Sequence, residues 1–81
     1  MSKRIRVEYF AMLREQAGCA GDDVETAAAN ATELFNELRF KHGFQMTTAN
    51  LTVAINDHMA SWQDAVEDGD SVIFIPPTAG G

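Results

Sequence analysis

The stretch Val72-Ile73-Phe74-Ile75-Pro76-Pro77-Thr78-Ala79-Gly80-Gly81 joins a short apolar run to an end rich in proline and glycine. The apolar run is β-branched and aromatic, which favours a buried strand over residues 72–75. The two prolines fix their own φ and favour extended backbone before them, so we expect a stiff tail over residues 76–81. The sequence therefore predicts a compact body over residues 1–75 that presents this tail.

The glycines at the end of the tail have two interpretations. Short glycine-rich chain ends are usually poorly ordered, exposed to solvent and without a function of their own. Gly80 and Gly81, however, lack a Cβ and would let backbone atoms enter a slot too narrow for any side chain. The tail also follows the apolar run directly. We therefore expect the C-terminus to take part in a chemical reaction.

Size and composition restrict the class of protein. The chain has 81 residues, 12 of them acidic and 6 basic, with a formal charge of −6. This predicts one domain and disfavours nucleic acid and anionic membranes as partners. The single cysteine cannot form an internal disulfide, and there is neither a secretory h-region nor a run of ~20 apolar residues. We expect a cytoplasmic protein.

The first half of the chain predicts two strands. Residues 3–10 alternate, so that one face carries Ile5, Val7 and Tyr9 and the other carries Arg4, Arg6, Glu8 and Phe10. A short helical turn over residues 11–16 and a loop over residues 17–23 are expected next. A weaker strand is predicted over residues 24–28.

One substantial helix follows. Thr32 is the predicted N-cap and Gly43 the stop, and between them apolar residues recur every three or four positions: Ala31, Leu34, Phe35, Leu38 and His42. This stripe needs a sheet to cover. Residues 44–50 are compatible with a turn of helix.

The second half predicts a hairpin and a final strand. Leu51, Val53 and Ile55 should face inward from a strand over residues 51–55, with a tight turn at Asn56-Asp57 and a partner strand over residues 59–62. A polar turn over residues 67–70 leads to the last strand, where Val72 and Phe74 share one face and Ile73 and Ile75 the other. The order predicts an α+β fold, with one main helix on a mixed sheet of four to five strands.

This arrangement predicts a contact surface. If the first and last strands are parallel neighbours at the centre of the sheet, Phe10 and Ile75 both face away from the helix near the tail. Met59 joins them if the hairpin folds alongside. An apolar patch there would bind a partner. The alternative is scattered surface hydrophobic residues, which are common.

Most catalytic motifs are absent from the sequence: it has no glycine-rich phosphate loop, Cys-x-x-Cys, His-Glu-x-x-His or Gly-x-Ser-x-Gly. His42 and His58 are interpreted as helix-end and turn residues, and Cys19 has no evident base beside it. The acidic residues at 22–23 and 67–70 are interpreted as solvated turns. No metal site and no catalysis by the chain alone are predicted.

Two segments carry a family resemblance: Tyr9-Phe10-Ala11-Met12-Leu13-Arg14-Glu15 and Asp68-Gly69-Asp70-Ser71 with the ten residues that follow. They resemble the molybdopterin synthase small subunits, the MoaD-like branch of the ubiquitin-like sulfur carriers, and the likeness spans essentially the whole chain. It implies a β-grasp fold with no bound cofactor. It also implies that an E1-like adenylyltransferase uses ATP to adenylate Gly81, and that a sulfur donor protein converts it to a thiocarboxylate.

The resemblance further implies partners and contact residues. The tail Pro76, Pro77, Thr78, Ala79, Gly80 and Gly81 would enter the molybdopterin synthase large subunit, in a heterotetramer, and give sulfur to cyclic pyranopterin monophosphate. By position, Phe10, Met59 and Ile75 match the family's apolar contact surface. Family members commonly carry an aromatic residue where this chain has Ile75.

The residues alone leave the chemistry partly open. A terminal carboxylate, with an ordinary pKa of about 3.5, is ionised at neutral pH and needs activation before acyl transfer. The alternatives are a protein modifier conjugated through Gly81, a sulfur carrier for another metabolite such as thiamin thiazole, and an acidic interaction domain with no chemistry at its end.

Overall fold

The computed structural model describes residues 2–77, and Met1 and residues 78–81 lie outside this range. Its elements, in chain order, are β1 (Lys3–Tyr9), α1 (Met12–Ala17), β2 (Gly21–Thr26), α2 (Ala31–His42), a 3₁₀ turn (Thr48–Asn50), β3 (Thr52–Ile55), β4 (His58–Ala60) and β5 (Ser71–Ile75). No helix in this range is long and apolar enough to cross a membrane.

The five strands of residues 2–77 form a single mixed sheet in the order β2-β1-β5-β3-β4. The first and last strands are parallel neighbours at its centre, as predicted, and the other pairs are antiparallel. One main helix, α2, packs on the sheet. This is the β-grasp fold of ubiquitin-like proteins, and it places the ends of β1 and β5 at the same edge.

The core lies between α2 and one face of the sheet. The helix contributes the predicted stripe of Ala31, Leu34, Phe35 and Leu38, and the sheet contributes Ile5, Val7, Tyr9, Val53, Val72 and Phe74, all of them buried. The ring of Phe35 packs edge to face on Phe74, with centroids 5.1 Å apart. Burial of these side chains is the main force that fixes the helix to the sheet.

The start of α2 differs from the prediction. Its N-cap is Asn30, whose side chain accepts a hydrogen bond from the backbone N–H of Glu33 at 2.9 Å. The Thr32 hydroxyl instead donates to the carbonyl oxygen of Trp62 at 2.9 Å. The prediction of Thr32 as the N-cap was therefore wrong by two positions. Gly43 ends the helix as predicted, with a φ of 71°.

Two strands, β2 and β4, differ from the prediction by more than one residue. β2 is Gly21–Thr26 and not 24–28, because residues 21–26 all pair with β1, although residues 21–23 have low strand propensity. The predicted partner strand over residues 59–62 is instead β4, His58–Ala60. Trp62 lies beyond β4 and stacks on Phe74, with ring planes 8° apart. The indole packs against the core, and β4 ends earlier than the β propensity of these residues indicates.

Candidate functional site

The C-terminal ends of β1 and β5 meet where the tail leaves the sheet. Tyr9 pairs with Phe74 in the parallel register. Because side chains alternate along extended backbone, the next residue on each segment, Phe10 and Ile75, lies on the side of the sheet away from α2. Phe10 is 48% exposed and Ile75 is half-buried. Two of the predicted contact residues therefore adjoin the root of the tail.

The third predicted contact residue, Met59, reaches the same face through β3. Ala54 pairs with Ile73 on one side and with Met59 on the other, so these three side chains form a row across the sheet. Met59 is 69% exposed. We call the resulting apolar surface the tail-root patch, and its members are Phe10, Ala54, Met59, Ile73 and Ile75.

Ile73 and Ala54 were not among the predicted contact residues. The alternation in the last strand already places Ile73 on the face of Ile75, so this signal was available in the sequence. The position of Ala54 depends on the register between strands, which the sequence does not reveal. That the tail-root patch binds a partner remains a prediction.

The other half of the open sheet face is charged. Arg4 pairs with Glu25, and Arg6 pairs with Asp23, across β1 and β2. The Arg6 guanidinium lies 3.4 Å from the Asp23 carboxylate, and both side chains are largely exposed. The face is thus divided into an apolar half on β5, β3 and β4 and a charged half on β1 and β2. A partner with the complementary division could dock in only one orientation.

A tight turn at Asn56-Asp57 sets the position of Met59. Both residues have positive φ, 52° and 67°, as the sequence indicated. The Asn56 side chain donates to Asp70 Oδ1 and accepts from the backbone N–H of Ser71, each at 2.9 Å. These bonds tie the hairpin turn to the start of β5 and so help to hold the register that brings Met59 to the patch.

On the α2 side of the sheet, a polar network joins β1, β2 and the end of α2. Asp22 Oδ2 accepts hydrogen bonds from the Tyr9 hydroxyl and from His42 Nε2, each at 2.8 Å, and Lys41 Nζ lies 4.0 Å away. Burial raises the pKa of the Tyr9 hydroxyl, and the hydrogen bond to Asp22 raises it further. Burial opposes ionisation of Asp22, but the bonds from His42 and Tyr9 and the Lys41 charge outweigh it and lower its pKa.

This network corrects two interpretations. His42 bonds to Asp22 across the fold and is not simply a helix-end residue, and Asp22 is not a solvated turn residue. The acidic turn before β5 is likewise structural, since Asp68 Oδ1 accepts from the Arg4 backbone N–H at 2.7 Å and Asp70 Oδ2 accepts from that of Glu67 at 2.8 Å. The bond to Arg4 depends on tertiary placement, whereas the bond to Glu67 is local to the turn.

The remaining candidate residues do not gather into a site. Cys19 is half-buried, with its sulfur 4.0 Å from Asp22 Oδ1, and His58 is exposed on β4. Within residues 2–77, no group of three or more His, Cys, Asp or Glu side chains could hold a metal ion. In the tail, Pro76 is half-buried and Pro77 is exposed. Thr78, Ala79, Gly80 and the predicted reactive Gly81 lie outside the described residues.

The sequence matches the family model described as ThiS family over residues 7–81. The chain belongs to the ThiS family. This match covers both segments that carry the resemblance, from Tyr9 to the final glycines.

Relatives of this ThiS family member agree with that placement. The chain is 33% identical over 81 residues to the molybdopterin synthase sulfur carrier subunit of Haemophilus influenzae, and the alignment covers 95% of this chain and 99% of the relative. Its structure also resembles a chain in the complex of subunits 1 and 2 of molybdopterin-converting factor from Helicobacter pylori, at TM-score 0.64 and 25% identity, covering 96% of this chain and 99% of that one.

A more distant structure shows the fold alone. The small archaeal modifier protein 1 of Methanosarcina acetivorans superposes at TM-score 0.78 with 18% identity, over 100% of this ThiS family chain and 99% of its own. The β-grasp arrangement is thus shared among proteins whose names describe different roles, and the function has to be argued from the site.

Proposed function

We propose that this protein is the sulfur carrier subunit of a molybdopterin synthase and works in the cytoplasm. The observation that carries the proposal is an alignment over nearly the full length of both chains with a subunit of that name, at 33% identity over 81 residues. The position of the tail-root patch, at the edge where β5 continues into Pro76 and Pro77, supports it, because a carrier needs a docking surface beside its reactive end.

The chemistry takes place at the Gly81 carboxylate. An adenylyltransferase joins this carboxylate to AMP from ATP and releases pyrophosphate, so the acyl carbon gains a good leaving group. Hydrosulfide supplied by a donor protein then bonds through its sulfur to that carbon and loses its proton, and AMP leaves with the electron pair of the broken C–O bond. The product is a thiocarboxylate whose sulfur bonds to cyclic pyranopterin monophosphate, and water then cleaves the acyl C–S bond and restores the Gly81 carboxylate.

The folded body of the protein positions the sulfur on its tail relative to the substrate. When the tail-root patch docks on the large subunit, the sulfur is held near the substrate and a bimolecular encounter becomes a positioned reaction. The charged half of the open face, including the Arg6–Asp23 pair, would fix the orientation of docking. The partners supply the nucleotide site, the acids and bases and the substrate pocket.

A reconstitution with the adenylating enzyme, ATP and a sulfur source tests the proposal. The C-terminal peptide should gain about 16 Da, and fragmentation must place this gain at Gly81, because oxidation of Met or Cys adds the same mass. The loaded carrier should then make molybdopterin with the large subunit. One additional residue after Gly81 should abolish the transfer while leaving the circular dichroism spectrum unchanged.

Two results would overturn the proposal. One is full molybdopterin synthesis by the extended chain. The other is a Gly-Gly remnant on lysines of other proteins with no thiocarboxylate formed, which would identify a protein modifier instead.

A further inference from the structure

The backbone at Ala11 adopts a conformation that normally requires glycine. Its φ is 51° and its ψ is −120°, and the Leu13 N–H donates to the Phe10 carbonyl oxygen at 3.1 Å. These are the values of the first central residue of a type II′ turn, where glycine is favoured because a Cβ is strained at positive φ.

Ala11 differs from the other residues with this strain. Asn56 and Asp57 are the other non-glycine residues in the described range with positive φ, and Asn and Asp are the residue types besides glycine that adopt it most readily. An alanine side chain forms no hydrogen bond. The bond that closes the turn at Ala11 is a backbone bond, which glycine would make equally well. The monomer therefore gains no turn geometry from the methyl group.

The strained methyl group lies beside the tail-root patch. Ala11 is exposed, and its neighbours Phe10 and Met12 are 48% and 51% exposed, so three consecutive apolar side chains form an exposed corner. Phe10 belongs to the patch itself. A non-glycine residue at positive φ is strained. When its side chain is exposed and does not stabilise the monomer, the strain indicates that the side chain contacts another molecule.

We propose that the Ala11 methyl group contacts the large subunit that receives the tail, so that the docking surface includes the whole corner Phe10-Ala11-Met12. The inference rests on the proposed function. Six residues follow Ile75, and six extended residues span at most roughly 20 Å. A partner that holds Gly81 must therefore lie close to the edge where β1 and β5 end, and this corner is at that edge.

The test is Ala11→Gly, measured for thermal unfolding and for affinity to the large subunit. Relief of the strain should raise Tm by roughly 4–8 °C. Loss of one buried methyl group should raise the Kd by about fourfold. A purely structural role predicts the first change without the second.

The matched control is Ala27→Gly. Ala27 is exposed and directly follows Thr26, the last residue of β2, which pairs with Lys3 at the opposite end of β1 from Ala11. This substitution should not raise Tm and should leave the Kd unchanged. If Ala11→Gly binds as tightly as wild type, or lowers Tm, the inference is overturned while the proposed function stands. If the wild-type chain itself does not bind the large subunit, the proposed function fails first.

Discussion

The carboxylate of Asp22 accepts a hydrogen bond from Nε2 of His42 at 2.8 Å, and thereby joins β2 to the last turn of α2. The same Oδ2 atom accepts from the hydroxyl of Tyr9, the residue directly before Phe10. The side chain of Asp22 is only 22% exposed. This network is therefore an anchor for the edge of the sheet from which the tail departs.

The network should make stability depend on pH. The lowered pKa of Asp22 means that its contribution is fully present above the ordinary value of 3.8 and is lost as pH falls through the folded-state value below it. Asp22→Asn should cost about 1–3 kcal/mol of unfolding free energy at pH 7, because two hydrogen bonds to a charged acceptor are weakened. Urea unfolding at pH 7 and at pH 2 to 3 should show that the difference from wild type shrinks at acid pH.

The control for this experiment is Asp23→Asn on the same strand. Asp23 is 73% exposed in its pair with Arg6, so the change should cost less than about 1 kcal/mol at either pH. Equal losses for the two variants, or a difference at Asp22 that grows as pH falls, would show that the carboxylate of Asp22 does not act as described.

The sequence revealed the helix and the face of each central strand because these depend on local periodicity. Ile5, Val7 and Tyr9 are buried as the alternation predicts, and so are Leu34, Phe35 and Leu38 of α2. The N-cap was misplaced although Asn30-Ala31-Thr32-Glu33 has the spacing of a capping box. Glu33 indeed reaches back, accepting from the Ala29 N–H at 2.9 Å, and this signal favours Asn30 over Thr32.

The features that could not be predicted depend on contacts between distant segments. Asp22 is 13 residues from Tyr9 and 20 from His42, and no local pattern joins them. The start of β2 at Gly21 is imposed by its partner strand, against intrinsic propensity. In the candidate site, the facing of Phe10 and Ile75 followed from alternation, whereas the place of Ala54 between Ile73 and Met59 required the register.

Docking through the tail-root patch predicts a loss of affinity from Met59→Lys. Met59 is 69% exposed, so the fold should tolerate the change, whereas a charge in an apolar interface should weaken binding to the large subunit by roughly 5- to 100-fold. Isothermal titration calorimetry measures this loss. Phe40→Lys is the matched control, because Phe40 is 90% exposed on α2, whose buried side covers the opposite face of the sheet. An equal loss in both variants would argue against the patch.

The contact between β1 and β2 depends on the missing side chain of Gly21. A Cβ there would lie 2.5 Å from the backbone oxygen of Val7 and 2.9 Å from a guanidinium nitrogen of Arg6. The arginine can move, but the backbone oxygen cannot move without displacing the strand. Gly21→Ala should therefore cost about 1–3 kcal/mol in urea unfolding. Asp23→Ala, on the same exposed strand, should stay within about 0.5 kcal/mol. Similar values for the two would show that the strands have room at Gly21.

The two prolines at the root of the tail should contribute to sulfur transfer through their stiffness. Proline at a compatible position removes about 0.4–1 kcal/mol of conformational entropy from a flexible chain, so Pro76 and Pro77 together lower the cost of ordering the tail by about 0.8–2 kcal/mol. The double variant Pro76→Ala with Pro77→Ala should therefore lower kcat/KM for transfer by roughly 4- to 30-fold.

The body should be unaffected by that double variant, because Pro76 and Pro77 follow the last residue of β5. Its Tm and its adenylation by excess activating enzyme serve as controls. If transfer proceeds at the wild-type rate, the tail does not need a fixed direction and the patch alone positions the sulfur. If the Tm falls by more than a few degrees, the prolines support the sheet and the kinetic result must be measured again at a temperature where both proteins are folded.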